Sequence, residues 1–289
     1  MKIGIIGYGE VGYTFSKALK EKGSDLRVYD ILLESPIHAK EICNKIIEVG
    51  AVPSGLEELC RESSYVLSMV VTQVALKVAE TCSPFLSKEN IYIDFNSTSP
   101  AIKQKIKDAI EANNGKFVEA AILGAVGTSG IRTRILTTGE KAPEVAYNLR
   151  ELGLNVQYYS KTVGQASMFK MLRSIFSKGI EILLLEMLVA GKRAGIEQDL
   201  WNDVSEFMNS KPFEEIANNW VLSHAIAHVR RYHEMVQVEE TLAELGINPT
   251  VTNGITRYFK KSLEMDMEKR FQVKPDKIIE VIEYIEKNI

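Results

Sequence analysis

Lys2-Ile3-Gly4-Ile5-Ile6-Gly7-Tyr8-Gly9-Glu10-Val11-Gly12 opens the chain. The apolar run Lys2–Ile6 reads as a strand, and Val11–Glu21, closed by Gly23, reads as a helix. Between them lies G-x-G-x-x-G. That spacing alone is a weak signal, because glycines are common in turns. Here it follows a strand, opens an apolar helix, and precedes a second strand, Leu26–Tyr29, that ends in Asp30. This is the full context of a dinucleotide fingerprint. Gly7 permits the tight turn, Gly9 lets main chain approach a pyrophosphate, and Gly12 lets the helix pack close to the sheet. The helix N-terminus, with Tyr8, Glu10 and Val11 around it, offers N–H groups and a partial positive charge to phosphates.

Asp30 lies 18 residues past Gly12. A carboxylate there accepts the ribose hydroxyls of NAD and repels the 2′-phosphate of NADP. Ile31, Leu32 and Leu33 supply no arginine for that phosphate, so the residues favour NAD over NADP. The competing role for Asp30 is a simple cap at the strand end.

Farther along, Tyr65–Val71, Ile91–Ile93, Lys116–Ile122 and Val156–Tyr159 are further strand candidates, with helical stretches such as Ala101–Ala112 between them. Strands alternating with helices imply a mostly parallel sheet of Rossmann type. From Gln165 the pattern turns helical: Met168, Met171, Leu172, Ile175, Ile180, Leu183, Leu184, Met187 and Leu188 recur at helical spacing. This predicts one long, mostly buried helix ending near Gly195. Only helical segments follow, with breaks at Lys211-Pro212, Gly246 to Pro249 and Lys274-Pro275. Ile278–Ile289 reads as an amphipathic terminal helix. The expected organisation is a dinucleotide-binding α/β domain at 1–159. An all-helical domain at 160–289 would follow, beginning with the long interdomain helix.

Composition agrees with that division, since 289 residues at roughly 150 per domain predict two domains. A net charge of −3 argues against a nucleic-acid-binding surface and a polybasic membrane patch. Cys43, Cys60 and Cys82 are odd in number, far apart and without a CxxC pair, which points to a reducing cytosol rather than a disulfide framework. No secretory h-region precedes the first strand. The most apolar stretch, Ile180 to Ala190, is interrupted by Glu181 and Glu186 and is too short to span a bilayer.

Four landmarks, in order, make residues 1–195 resemble the β-hydroxyacid dehydrogenase family, which includes 3-hydroxyisobutyrate and 6-phosphogluconate dehydrogenases. The first is the glycine loop. The second is Asp94-Phe95-Asn96-Ser97-Thr98-Ser99-Pro100. By resemblance, Asn96 and Ser97 bind the substrate or the nicotinamide ribose, although both also suit an N-cap for the helix opening at Pro100. Val71 and Thr72 join Asn96 on the expected cofactor side. The third is Glu119-Ala120-Ala121-Ile122-Leu123-Gly124-Ala125, similar to the family's D-A-P-V-S-G-G. Leu123 stands at the serine position of this candidate substrate segment and cannot donate a hydrogen bond, so either the substrate differs from the usual hydroxy acids or Thr128 and Ser129 do that work; the competing reading is an ordinary buried strand end. Gly124 still offers its N–H to a substrate. The fourth is Gly164-Gln165-Ala166-Ser167-Met168-Phe169-Lys170-Met171-Leu172-Arg173-Ser174, similar to G-x-G-x-x-x-K-x-x-x-N. Lys170 keeps the family's acid/base lysine, and Ser174 replaces its asparagine on the same helix face.

The resemblance implies hydride transfer between nicotinamide and a small 3-hydroxy acid or sugar-acid-like alcohol. Neutral Lys170 would take the hydroxyl proton. The product ketone is released, or loses CO₂ where a carboxylate sits β to it. Two alternatives stay open: an imine reductase on the same fold, against which retention of Lys170 counts, and a non-catalytic nucleotide sensor. The resemblance further implies a homodimer through the helical domain, with Trp220, Val221, Leu222, Ile226 and Val229 as a candidate surface. Arg230 and Arg231 are candidates for a substrate carboxylate or phosphate. His224 and His228 have metal-like spacing but no H-E-x-x-H, so no metal is expected.

Overall fold

The computed structural model describes residues 1–289, which form two compact units, Met1–Ile175 and Phe176–Ile289. The first is built on one eight-stranded sheet: β1 (Lys2–Ile6), β2 (Asp25–Tyr29), β3 (Val52–Pro53), β4 (Tyr65–Ser68), β5 (Ile91–Asp94), β6 (Lys116–Ile122), β7 (Ile135–Thr138) and β8 (Val156–Ser160). Their spatial order is β3-β2-β1-β4-β5-β6-β7-β8. Only the β6–β7 pair is antiparallel. Helices α1 (Glu10–Glu21), α2 (Ala39–Glu48), α3 (Leu56–Glu62), α4 (Ala75–Cys82), α5 (Pro100–Glu111), α6 (Val126–Ser129) and α7 (Ala142–Glu151) complete it, with the start of α8 (Gln165–Ala194).

Both faces of the sheet are covered. Ile5, Leu67, Ile93 and Val118 belong to one apolar core, while their chain neighbours Ile6, Val66, Tyr92 and Phe117 belong to the other. Successive side chains of a strand point to opposite faces, so a sheet buried on both sides needs continuous apolar runs. That is why these strands were legible in the sequence. The order reverses between β1 and β4, the switch point at whose carboxyl ends ligands of such sheets bind.

Several elements differ from expectation. The strand expected over Tyr65–Val71 stops at Ser68, and Met69–Val71 leave the sheet at its carboxyl edge. β3 and β7 were not expected. β3 is only two residues long, and β7 (Ile135-Leu136-Thr137-Thr138) is an ordinary apolar run between Arg134 and Gly139. The expected domain boundary near residue 160 falls at the end of β8, whereas the compact units divide at Ile175, inside α8. Ala166 explains the shift, because it is fully buried beside Ala121 and Leu136 of the sheet.

Helix α8 has the expected extent but is not mostly buried. Leu172 is 58% exposed, Ile175 71% and Leu185 54%. A helix apolar around much of its circumference buries only the stripe that finds a neighbour.

The second unit contains the rest of α8 with α9 (Glu197–Asn209), α10 (Phe213–Glu244), α11 (Thr250–Leu263), α12 (Met267–Arg270) and α13 (Ile278–Asn288). The breaks before α10, α11 and α13 fall at the expected prolines and glycines, whereas the break between α11 and α12, at Glu264–Asp266, was not expected and turns on Asp266 at φ +50°. α10 is central, and Ala225 on it packs with Met265, Met267, Phe271 and Val281. The Glu186 carboxylate accepts the N–H groups of Val251 and Thr252, capping α11. No helix is long and apolar enough to cross a membrane.

Candidate active site

At the carboxyl edge of the sheet, Gly7 has φ +93°, and a Cβ there would collide with the carbonyl of Met69. A Cβ on Gly12 would strike the carbonyl of Gly7, whereas one on Gly9 would meet nothing within 4 Å. The loop is therefore closed by Gly7 and Gly12 and open above Gly9. Gly9 is the N-cap of α1 and lends no side chain to it, so the first amides of that helix point outward without a side-chain acceptor. Beside them lies a cavity of about 690 Å³ lined by Gly7, Gly9, Glu10, Val11, Tyr29, Asp30, Leu32 and Val71, among others. An open glycine, outward amides and a carboxylate at the end of β2 fit a dinucleotide.

Asp30 joins the end of β2 to this loop. Its Oδ2 accepts the Tyr8 N–H at 2.7 Å, and its Oδ1 accepts the Leu32 N–H at 2.9 Å. It is thus a cap for the turn at Ile31–Glu34 as well as a wall of the cavity. The same bond commits the Tyr8 amide, and the Tyr8 ring is buried against Tyr13, so Tyr8 presents neither group to a phosphate.

A second cavity of about 470 Å³ adjoins Glu10, Val71 and Thr72, and Asn96, Ser97, Gly124 and Lys170 also line it. Lys170 Nζ donates a hydrogen bond to Ser97 Oγ. Two landmarks far apart in sequence therefore meet here. Asn96 is buried at 4% exposure and its side chain is committed inward. Its Oδ1 accepts the Val70 N–H at 2.7 Å, and its Nδ2 donates to Ser68 at 3.0 Å and to Asp94. Asn96 thus ties the exits of β4 and β5 together on the wall of this cavity. Neither Asn96 nor Ser97 caps α5. Ser99 does, accepting the Ile102 N–H.

Beneath this turn lies an ion pair that the sequence reading missed. Lys103 is fully buried, and its Nζ donates to Asp94 Oδ2 at 2.6 Å, the Asp94 carbonyl at 3.0 Å and the Asn96 carbonyl at 2.7 Å. All three ammonium protons have acceptors, which an interior lysine requires. The signal was available: Lys103 shares the helical phase of Ile106 and Ile110, both fully buried.

Three expected residues are not among those that line this cavity. Leu123 packs beside Phe169 against the Ala121–Leu136–Ala166 cluster and does not line the cavity. The strand's alternation sends Leu123 to that face, while its neighbours Ile122 and Gly124 reach the cavity. Ser174 donates to the Lys170 carbonyl at 2.9 Å, a back-bond along its own helix. Arg231 lies in the helical unit, where it donates to Ser223 and lines a separate, mainly apolar cavity with Trp220, His224 and Tyr258. His224 hydrogen-bonds Ser262, and His228 is buried 3.5 Å from Glu268. No group of three or more metal-ligating side chains is assembled.

Residues 2–159 match the NAD binding domain of 6-phosphogluconate dehydrogenase. The chain belongs to this family. Residues 192–262 match a domain of unknown function, DUF1932. An uncharacterized 28.5 kDa protein of Methanothermus fervidus is 28% identical over 90% of this chain and 98% of its own. The mitochondrial 3-hydroxyisobutyrate dehydrogenase of Drosophila melanogaster is 24% identical over 75% of this chain. This chain spans 63% of that dehydrogenase's length. A solved conserved protein of unknown function, described as structurally similar to 3-hydroxyacid dehydrogenases, is 33% identical. That match covers 93% of this chain and 97% of the other, with a TM-score of 0.61. An imine reductase variant from Myxococcus stipitatus, solved with NAD+, shares the fold at a TM-score of 0.79 and 15% identity over 98% of this chain and 99% of its own. The chain is thus a divergent member of the β-hydroxyacid dehydrogenase family with an NAD(P)-type nucleotide-binding domain.

Proposed function

We propose that this protein is an NAD(P)-dependent oxidoreductase that interconverts the alcohol and ketone of a small 3-hydroxy acid or sugar-acid-like substrate. Lys170 is its general acid/base. The observation that carries this reading is the Lys170–Ser97 hydrogen bond on the wall of the cavity beside the glycine loop. A lysine held there by a hydroxyl is placed to exchange a proton with a third oxygen.

The chemistry brought by a bound nicotinamide dinucleotide is hydride exchange at carbon. Gly7, Gly9, Gly12 and the first turn of α1, with Glu10 and Val11, would hold its phosphates, and Asp30 its adenosine ribose. Val71 lines both cavities, and Thr72 lines the one that holds Lys170. Lys170 as a neutral amine accepts the hydroxyl proton on oxidation, and as an ammonium returns it to the carbonyl oxygen on reduction. Ser97 Oγ orients Lys170, and the Gly124 main chain, with Thr72 and Gln73 in the wall of the same cavity, offers polar contacts for substrate. Ser174, bonded to the Lys170 carbonyl, supports that turn of the helix rather than the substrate. Asp30 favours NAD over NADP, because its carboxylate is charged where a 2′-phosphate would sit.

A homodimer through the helical unit belongs to the same reading. Leu185, Val189, Trp220 and Val229 are each between 39% and 54% exposed, more apolar surface than an isolated helical unit usually leaves in water.

The test is NADH formation from NAD or NADP with a panel of 3-hydroxy acids and sugar acids, wild type beside Lys170→Met. Turnover that survives the substitution would overturn the assigned role. Turnover only with imines in the reductive direction would move the protein to the imine reductase reading, and cofactor binding with no turnover on either panel to the sensor reading.

A further inference from the structure

Glu119 sits within β6 at 0% exposure and lines neither the cavity beside the glycine loop nor the one that holds Lys170. Its carboxylate accepts three hydrogen bonds. Oε2 takes the Gly164 N–H at 2.6 Å and the Thr138 hydroxyl at 2.5 Å, and Oε1 takes the Ser167 N–H at 2.6 Å. Gly164 and Ser167 lie on either side of the first residue of α8. A helix start leaves its first amides without partners inside the helix. Here a carboxylate from the sheet takes two of them, at the end of the helix whose dipole favours negative charge.

The junction has little slack. Gly164 has φ +96°, and a Cβ there would approach Pro100 Cβ, the start of α5, to 3.1 Å. Ser167 also returns its hydroxyl to the Gly164 carbonyl at 3.1 Å. Lys170 follows Ser167 by three residues, just under one helical turn. The azimuth and height of that turn, and so the direction of the Lys170 side chain, depend on where Glu119 holds the amides. Lys103 fixes the opposite partner, since it grips the Asn96 carbonyl next to Ser97.

We propose that Glu119 is a positioning residue. By gripping the first amides of α8 it sets Lys170 onto Ser97, without touching substrate or cofactor. This rests on the reading of Lys170 as acid/base, but its test needs no turnover.

The experiment labels lysines of the intact protein with trinitrobenzenesulfonate across a pH series, with and without NADH. Modification of Lys170 is followed by peptide mass spectrometry, and exchange of the α8 amides by hydrogen–deuterium exchange. In Glu119→Gln an amide N–H₂ must face at least one main-chain N–H. Lys170 should then be labelled faster at each pH, and the amides of Ser167 to Lys170 should exchange about tenfold faster. Asn90→Ala removes a buried side chain that bonds only the Cys60 and Ser63 carbonyls and the Ser87 turn. It should lower Tm while leaving both readouts as in wild type. Thr138→Val removes one donor from the same carboxylate and should move both readouts the same way by less, which keeps a test available if Glu119→Gln does not fold. Labelling and exchange at Lys170 that match wild type in a folded Glu119 or Thr138 variant would overturn the proposal. Turnover surviving Lys170→Met would instead sink the acid/base reading and leave these readouts intact.

Discussion

Lys170 on α8 and Ser97 after β5, 73 residues apart in the chain, meet in a hydrogen bond. Each is held from behind by a buried charged residue: Lys170 through the helix start on Glu119, Ser97 through the turn gripped by Lys103. Replacing Ser97 with Ala should lower kcat more than it raises KM, because the lysine loses its orienting partner while the walls of the cavity remain. Lys170→Met should lower kcat by about 10²- to 10⁴-fold. It should leave the NADH dissociation constant within a few-fold of wild type, as read by fluorescence titration.

Lys103 and Asp94 form an ion pair at 1% and 0% side-chain exposure. Lys103→Met leaves a buried carboxylate without its cation, so thermal unfolding should show a loss of about 3–5 kcal/mol. The double variant with Asp94→Asn should recover part of that loss, because the stranded charge is then gone. A double variant no more stable than Lys103→Met would mean that the damage comes from packing.

Asp30 has two roles that one substitution separates. Asp30→Ala removes acceptors for the Tyr8 and Leu32 amides, a loss of about 0.5–1.5 kcal/mol for each bond in denaturant unfolding. It should also weaken NADH binding while leaving NADPH binding unchanged or stronger, since the charge opposing a 2′-phosphate is removed. Equal weakening of both cofactors would confine Asp30 to the cap.

Gly12 has no room for a side chain. Gly12→Ala should therefore displace the loop from α1 and lower stability far more than Gly9→Ala does, because Gly9 faces open space. Paired Tm and NADH titrations check this. Gly9→Ala should keep Tm near wild type and lose affinity, whereas Gly12→Ala should lose both.

The helical unit should be sensitive to mild acid. Burial, then the charges of His228 and Arg231, push the His224 pKa down from 6.5 to about 4. The folded state therefore resists a proton that the unfolded chain accepts. The stability contributed by neutral His224 is complete above pH 6.5 and falls as pH drops toward about 4. Glu186 acts lower on the scale. Burial opposes its charge, but hydrogen bonds from Thr252 and the amides of Val251, Thr252 and Thr250 outweigh that, so its pKa lies below the usual 4.5. Its contribution is present above that value and is lost as pH falls through the lowered one. His224→Gln should flatten the Tm-against-pH curve between pH 6.5 and 4 and leave the steeper acid limb in place.

The residues themselves determined the sheet and its nucleotide loop. Continuous apolar runs such as Ile3–Ile6 and Ile91–Ile93, bounded by turn residues, fit strands buried on both faces, and Gly7, Gly9 and Gly12, set between such a strand and an apolar helix, fit a strand–helix turn open to a ligand. Helix breaks marked by proline or glycine were equally legible, since those residues act locally, but the one at Glu264–Asp266 was not. Local pattern could not say which face a side chain reaches, or which partner it meets. Leu123, a departure from the motif's serine, turns into a packed cluster, and Asn96 closes a network within the sheet's edge. Arg231 belongs to another cavity. Lys103 and Glu119, charged residues that composition would assign to the surface, are fully buried supports of the site. Their partners lie across strands and helix starts, and only the folded chain brings those donors and acceptors within hydrogen-bonding distance. The exposure of α8 was likewise a tertiary outcome, because periodicity reports how much of a helix is apolar and not how much of it finds a neighbour.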